Sequence, residues 1–267
     1  MDQINNVKSE LIVKVNPMQL LSATLDIGEQ MLICGAEVSR IEDTVSRICM
    51  AYDMLRVDAF SITTILFVTV HTKDGKIITQ ARKIKETVKN YYKLEKLNAL
   101  SRHICKNTPP VSEIKQQLLQ IIEGSKQKTW ALLLGHIFTV IAFTMYFGGK
   151  LIDLPAAIIV SLIIFLSSRF TRRGGVNRVI YYLLTSSVAG FISVFAVRLG
   201  LGVNLDKIII GNIMLLIPGV AMTSSIGDML AGDTITGILR MCESLLIASA
   251  IAGGFAIALL VRGRFGL

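Results

Sequence analysis

The chain has 267 residues, 52% of them hydrophobic and 18% charged, with a mean hydropathy of +0.59, too apolar for an ordinary soluble domain. Its net charge of +9 is not gathered in one place: residues 1–129 hold 18 Lys+Arg against 14 Asp+Glu, and residues 130–267 hold 10 against 5. A nucleic-acid binder concentrates base on its soluble part, so this distribution argues against nucleic acid as a partner.

Residues 1–16 are mixed and polar and read as a tail, without the apolar core of a signal peptide. Asn16-Pro17 reads as the cap and first residue of a helix. Leu20, Leu21, Leu25, Gly28, Met31 and Leu32 then follow helical spacing as far as Gly35. A second helix is predicted over 36–52, with Val38, Ile41, Val45, Ile48 and Tyr52 as its apolar stripe and Glu37, Arg40, Asp43 and Arg47 along a charged row. That row reads first as a solvated, salt-bridged face, and second as a set of carboxylates for acid–base work.

Residues 57–72 are rich in β-branched side chains and read as one strand. Asp74-Gly75 supplies a tight turn, and 77–81 is the return strand. Two more helices are expected over 88–105 and 112–123, the second capped by Ser112. Residues 17–125 are therefore expected to form a small α+β domain with a β-hairpin.

Residues 126–267 are expected to form a transmembrane helical bundle. Five apolar runs are candidates: 130–147, 154–166, 179–197, 208–226 and 244–261. A hydrocarbon core of about 30 Å needs about 20 helical residues. The second run reaches that only if Ser167, Ser168 and Arg169 are drawn in, with Arg169 snorkelling. Arg169, Arg172, Arg173 and Arg178 flank the next loop. By the positive-inside rule this loop and the N-terminal domain face the cytoplasm. The fourth run contains Gly211, Asn212, Pro218 and Gly219. A proline there removes a helical hydrogen bond, and broken spans are where secondary transporters bind solutes.

The stretch 227–243 places Asp228, Asp233, Arg240 and Glu243 between two apolar runs, with Gly227, Gly232 and Gly237 every five residues. Charge at the bilayer centre costs about 2.5–3.5 kcal/mol on the lenient scale, so these groups must lie at an interface, in a cavity or in pairs. Arg240 and Glu243 are spaced to pair on one helix. The last run carries a small-residue ridge, Ser244, Ala248, Ala252 and Ala256, with Gly253 and Gly254 beside it, suited to close helix packing inside the chain or against a partner. Cys34, Cys49, Cys105 and Cys242 lack Cys-x-x-Cys spacing, and the three histidines are scattered, so no metal site is expected. No Gly-Lys-Ser/Thr phosphate loop is present; ATP and other cofactors are not expected.

Two separated motifs bear a family resemblance. Gly35-Ala36-Glu37 with Arg40, Glu42-Asp43-Thr44 and Ala51-Tyr52 resembles the N-terminal signature of the threonine/serine exporters. Pro218-Gly219, Asp228, Gly232-Asp233, Gly237, Arg240 and Glu243 resembles their membrane signature. The similarity covers about residues 20–262. Single-chain members carry a second set of membrane helices. A chain stopping at Leu267 resembles the split type, in which a long subunit works with a short membrane subunit. For some split members the proposed solute is succinate.

The resemblance implies a secondary exporter of a small carboxylate-bearing solute in the cytoplasmic membrane, not an enzyme. Arg240 would meet the carboxylate. Asp228, Asp233 or Glu243 would carry protons or cations, and Asn212, Pro218 and Gly219 would shape the path. The alternatives are a membrane-anchored hydrolase using Glu37, Glu42 or Asp43, and a ligand sensor acting through the soluble domain.

Overall fold

The computed structural model describes residues 16–85, 87–124, 128–171 and 177–265. The polar tail, Lys126, Arg172 and Arg173 lie outside the described residues. Two compact units emerge: residues 1–126 with 224–239, and residues 127–223 with 240–267.

In the first unit α1 (Pro17–Ile33) starts as expected: Asn16 Oδ1 accepts from the Met18 amide at 3.0 Å and Pro17 takes the first turn. Gly35 (φ +86°) ends it with the left-handed residue that helix C-termini favour. α2 (Val38–Ala51) buries Val38, Ile41, Val45 and Ile48 completely. Each such side chain contributes about 1.5–3 kcal/mol relative to exposure.

The long predicted strand is in fact two. β1 (Arg56–Ile62) and β2 (Ile65–His71) pair antiparallel through Ile62↔Ile65, so Thr63 and Thr64 make a tight turn. β3 (Ile77–Lys83) follows the Asp74-Gly75 turn and completes a sheet in the order β1-β2-β3. Alternation places Leu66, Val68 and Val70 in the core and leaves Phe60 and Phe67 exposed. A Cβ on Gly28 would lie 2.6 Å from Leu66 Cδ2, so α1 approaches β2 more closely than a larger residue permits.

α3 (Tyr91–Asn107) starts three residues later than expected, where the Asn90 side chain caps the Lys93 amide. α4 (Val111–Gly124) begins before Ser112; the Pro110 carbonyl accepts its first amide bonds, and Ser112 lies within the first turn rather than capping it. Leu97, Ile104 and Ile114 join α1, α2 and the sheet in one apolar core.

In the second unit α5 (Thr129–Tyr146), a short 3-10 turn (Leu151–Asp153) leading into α6 (Leu154–Thr171), and α7 (Arg178–Arg198) are each long and apolar enough to cross a membrane. α8 (Leu205–Leu216) and α9 (Gly219–Leu230) form a pair bent by 48°, and α10 (Thr234–Phe265) is the last helix. This gives four spans, or five if the bent pair is one span. The α8–α9 and α9–α10 connections fall inside the predicted fourth run and the predicted charged stretch. Residues 227–243 are mostly helical: only 231–233 separate α9 from α10. At about 1.5 Å per residue, the 32 residues of α10 extend about 48 Å, well beyond a hydrocarbon core.

α7 and α10 meet through small residues. A Cβ on Gly254 would lie 2.0 Å from Ser186 Oγ, and one on Gly190 2.7 Å from the Ala258 Cβ. The buried seam of α10 includes Ser244, Ile247, Ala250, Ile251, Gly254, Phe255 and Ala258. The expected ridge is buried only in part: Ser244 and the flanking Gly254 lie in the seam, whereas Ala252 and Ala256 are exposed.

Candidate functional site in the broken span

The break originates at Pro218. Ile217 still donates to the Ile213 carbonyl at 3.0 Å, but proline has no N–H for the Met214 carbonyl, and Gly219 turns back to the Ile217 carbonyl at 2.9 Å. In lipid such a carbonyl must be satisfied by protein or by water in a cavity. One and a half turns earlier, Asn212 is completely buried on α8. Its Nδ2 donates to the Ile208 carbonyl at 2.9 Å, and its Oδ1 has no hydrogen-bond partner among the described residues. Thr144 on α5 is equally buried, and its Oγ1 is likewise without a hydrogen bond there. A Cβ on Gly211 would sit 2.1 Å from that oxygen, so the glycine seats Thr144 against α8.

Past the break, Ser225 and Asp228 on α9 are buried, with Asp228 at 1% exposure. The turn into α10 is closed by the Asp233 amide donating to the Asp228 carbonyl at 2.9 Å, with Gly232 at φ +97°. The three glycines differ in role. Gly232 supplies a positive φ. Gly237 allows close approach, since a Cβ there would meet Met229 Cγ at 2.4 Å and the Ser225 carbonyl at 2.7 Å. Gly227 has nothing within 4 Å of its would-be Cβ. Asp233 Oδ2 is buried without a hydrogen bond among the described residues.

Residues 224–239 belong to the same unit as α2, and there Asp233 acts on Glu42. Burial raises the Glu42 pKa above its ordinary 4.5. The Ser61 amide, donating to Oε1 at 2.6 Å, pulls it down, and the nearby Asp233 charge pushes it up. Glu42, Asp228 and Asp233 thus fall in one unit. Asn212, Pro218, Gly219, Arg240 and Glu243 fall in the other, except that the backbone joins them along α8 to α10.

Arg240 is half-buried. Glu243 reaches Arg178 at the start of α7, 2.8 Å away, an ion pair across 65 residues of sequence that i,i+3 spacing did not suggest. Arg169, at the end of α6, is exposed, stacks over Phe165 with its guanidinium carbon 5.6 Å from the ring centroid, and donates to Thr129 Oγ1.

The first-unit motif has structural work to do. Gly35 makes the helix end and Ala36 is buried. Glu37 pairs with Arg40 at 3.4 Å and Asp43 with Arg47 at 2.8 Å, all well exposed. Glu42 is tied to β1 through the Ser61 amide, and the Asp43 charge disfavours the thiolate of the nearby Cys105 rather than activating it. The buried Cys49 thiol is pushed up to about 11 by desolvation, which leaves it protonated and unreactive. Among the described residues no group of three or more His, Cys, Asp or Glu could hold a metal.

One residue had no sequence signal. Asp153 is fully buried, and its carboxylate accepts from the amides of Lys150 (2.8 Å), Val203 (2.7 Å) and Asn204 (2.9 Å) and from Asn204 Nδ2 (2.9 Å). It clasps the α7–α8 loop to the start of α6. Gly202 is required there, since a Cβ would crowd Ile208 Cδ1 at 2.8 Å and Asp153 Oδ1 at 3.3 Å.

Four long apolar helices and a bent pair with buried polar groups define a multi-pass membrane protein. Residues 22–261 match the ThrE family, described as "Putative threonine/serine exporter", and the chain belongs to that family. It is similar to the "Probable threonine/serine exporter" of Mycobacterium tuberculosis, 21% identical over 243 residues, covering 90% of this chain and 46% of the relative. It is also similar to the "Threonine/serine exporter" of Corynebacterium glutamicum, 23% identical over 252 residues, covering 87% of this chain and 49% of the relative. The chain therefore spans about half the length of the curated relatives it matches. No solved structure matches it.

Proposed function

We propose that the chain is part of a secondary exporter that moves a small carboxylate-bearing solute, threonine or serine or a dicarboxylate such as succinate, out across the cytoplasmic membrane. The observation that carries this reading is the bent span, with Asn212 buried before Pro218 and Asp228 buried after it. Buried polar groups in a membrane helix are costly and mark solute or ion pathways. In this reading Arg240 meets the solute carboxylate, and Asp228, Asp233 or Glu243 carries the coupling proton or cation. The N-terminal domain faces the cytoplasm, on the side of Arg169 and Arg178.

A second membrane subunit completes the path. Supporting this, the small exposed residues Ala252 and Ala256 on α10 suit close packing by another helix. The family relationship to proteins named exporters, together with carboxylates tied into structural bonds, weighs against the hydrolase reading.

The test is efflux of preloaded threonine, serine and succinate from vesicles holding the chain and its membrane partner. At least one solute should leave, and Arg240→Ala and Asp228→Asn should each slow it by tenfold or more, about 1.4 kcal/mol. Unchanged efflux in both variants overturns the role assignments. Export of none of the three overturns the solute class.

A further inference from the structure

Away from the broken span, α3 and α4 line an open groove of about 530 Å³, within the range of about 300–1,000 Å³ typical of small-molecule sites. Its floor is apolar, formed by Leu100 and Ile121. Its polar groups are Lys96, His103, Gln117 and Gln120, and no aspartate or glutamate lines it.

The donors are held in place. Lys96 Nζ lies 5.5 Å from the centroid of the Tyr92 ring, a cation–π contact that keeps the ammonium at the groove wall. Asn107 Nδ2 lies 2.9 Å from His103 Nδ1; with the amide donating, the imidazole proton sits on Nε2 and the ring presents a second donor. Gln117 Nε2 is held by Glu113 Oε1 at 2.9 Å, which fixes the amide.

We propose that this groove binds a small organic carboxylate. An ammonium and an imidazole N–H suit one carboxylate, while Glu113 occupies the Gln117 amide, and the carbon skeleton lies on Leu100 and Ile121. The site lies wholly within the first unit and uses none of the residues assigned to translocation. It gives the soluble domain a ligand-sensing function beyond the exporter reading, and it stands or falls separately from efflux.

The test uses the full chain in lipid nanodiscs, titrated with L-threonine and, separately, succinate. The readout is the NMR signal of the labelled His103 imidazole. At least one carboxylate should move it saturably, Lys96→Gln should weaken that response about tenfold, and Arg240→Ala should leave it intact. A His103 signal unmoved by both ligands overturns the proposal. So does a response that survives Lys96→Gln or disappears with Arg240→Ala, because the ligand then acts from another site.

Discussion

The α7–α10 seam and the α8–α9 break are built from similar small and polar residues, yet they differ in how those groups are satisfied. At the seam, Ser186 Oγ donates to the Tyr182 carbonyl at 2.7 Å, and Gly190 and Gly254 let the helices touch. At the break, proline removes a donor and Asn212 Oδ1 is buried without a hydrogen bond among the described residues. Satisfied small-residue contacts fix a helix pair. A broken, polar segment is where a membrane protein retains groups for something other than packing. In the proposed function the seam is scaffold and the break is the working part.

The sharpest way to break this contrast is at the seam. Gly254→Leu must displace Ser186 Oγ and the Leu183 carbonyl, which lies 2.5 Å from the would-be Cβ. We expect no folded protein in detergent by size-exclusion chromatography, whereas Gly227→Ala, with open space around it, should elute normally. Asp153→Ala should come next. It strands three backbone amides, at a cost of about 3 kcal/mol or more, and should lower the unfolding midpoint without altering solute preference.

Changes at the break should act in the opposite sense. Pro218→Ala should leave the midpoint within a few degrees and slow efflux severalfold, because it restores a donor for the Met214 carbonyl and straightens the bent pair.

The smallest effect concerns Glu42. Its folded pKa is raised, so its contribution to stability is fully present below its unfolded pKa and is lost as pH rises through the raised folded value. Glu42→Gln should flatten the pH dependence of the unfolding midpoint in that window. An unchanged slope would show that the carboxylate is not desolvated as described.

Periodicity revealed most of the elements, because helical stripes such as Val38, Ile41, Val45 and Ile48 and runs of about 20 apolar residues are local signals. The Asp74-Gly75 turn was legible for the same reason. The turn at Thr63-Thr64 was not, since it uses the same β-branched residues as the strands it joins. The partners of Asp153 and Glu243 lie about 50 and 65 residues away in sequence, beyond any spacing rule. Which face of α10 packs was decided by α7, not by the regular four-residue repeat of alanines. Of the candidate site, the proline break and its flanking polar residues were visible as residue types out of place in an apolar run. The division of those residues between two units was not.

The account rests most directly on whether water and solute reach the break. In a chain with Cys34, Cys49, Cys105 and Cys242 replaced, Met214→Cys places a thiol where the helix loses its bond to Pro218. Labelling by a membrane-impermeant, charged thiol reagent should proceed, and saturating solute should slow it at least about threefold. A thiol that stays unlabelled, or one that labels at the same rate with and without solute, would contradict a route through the broken span.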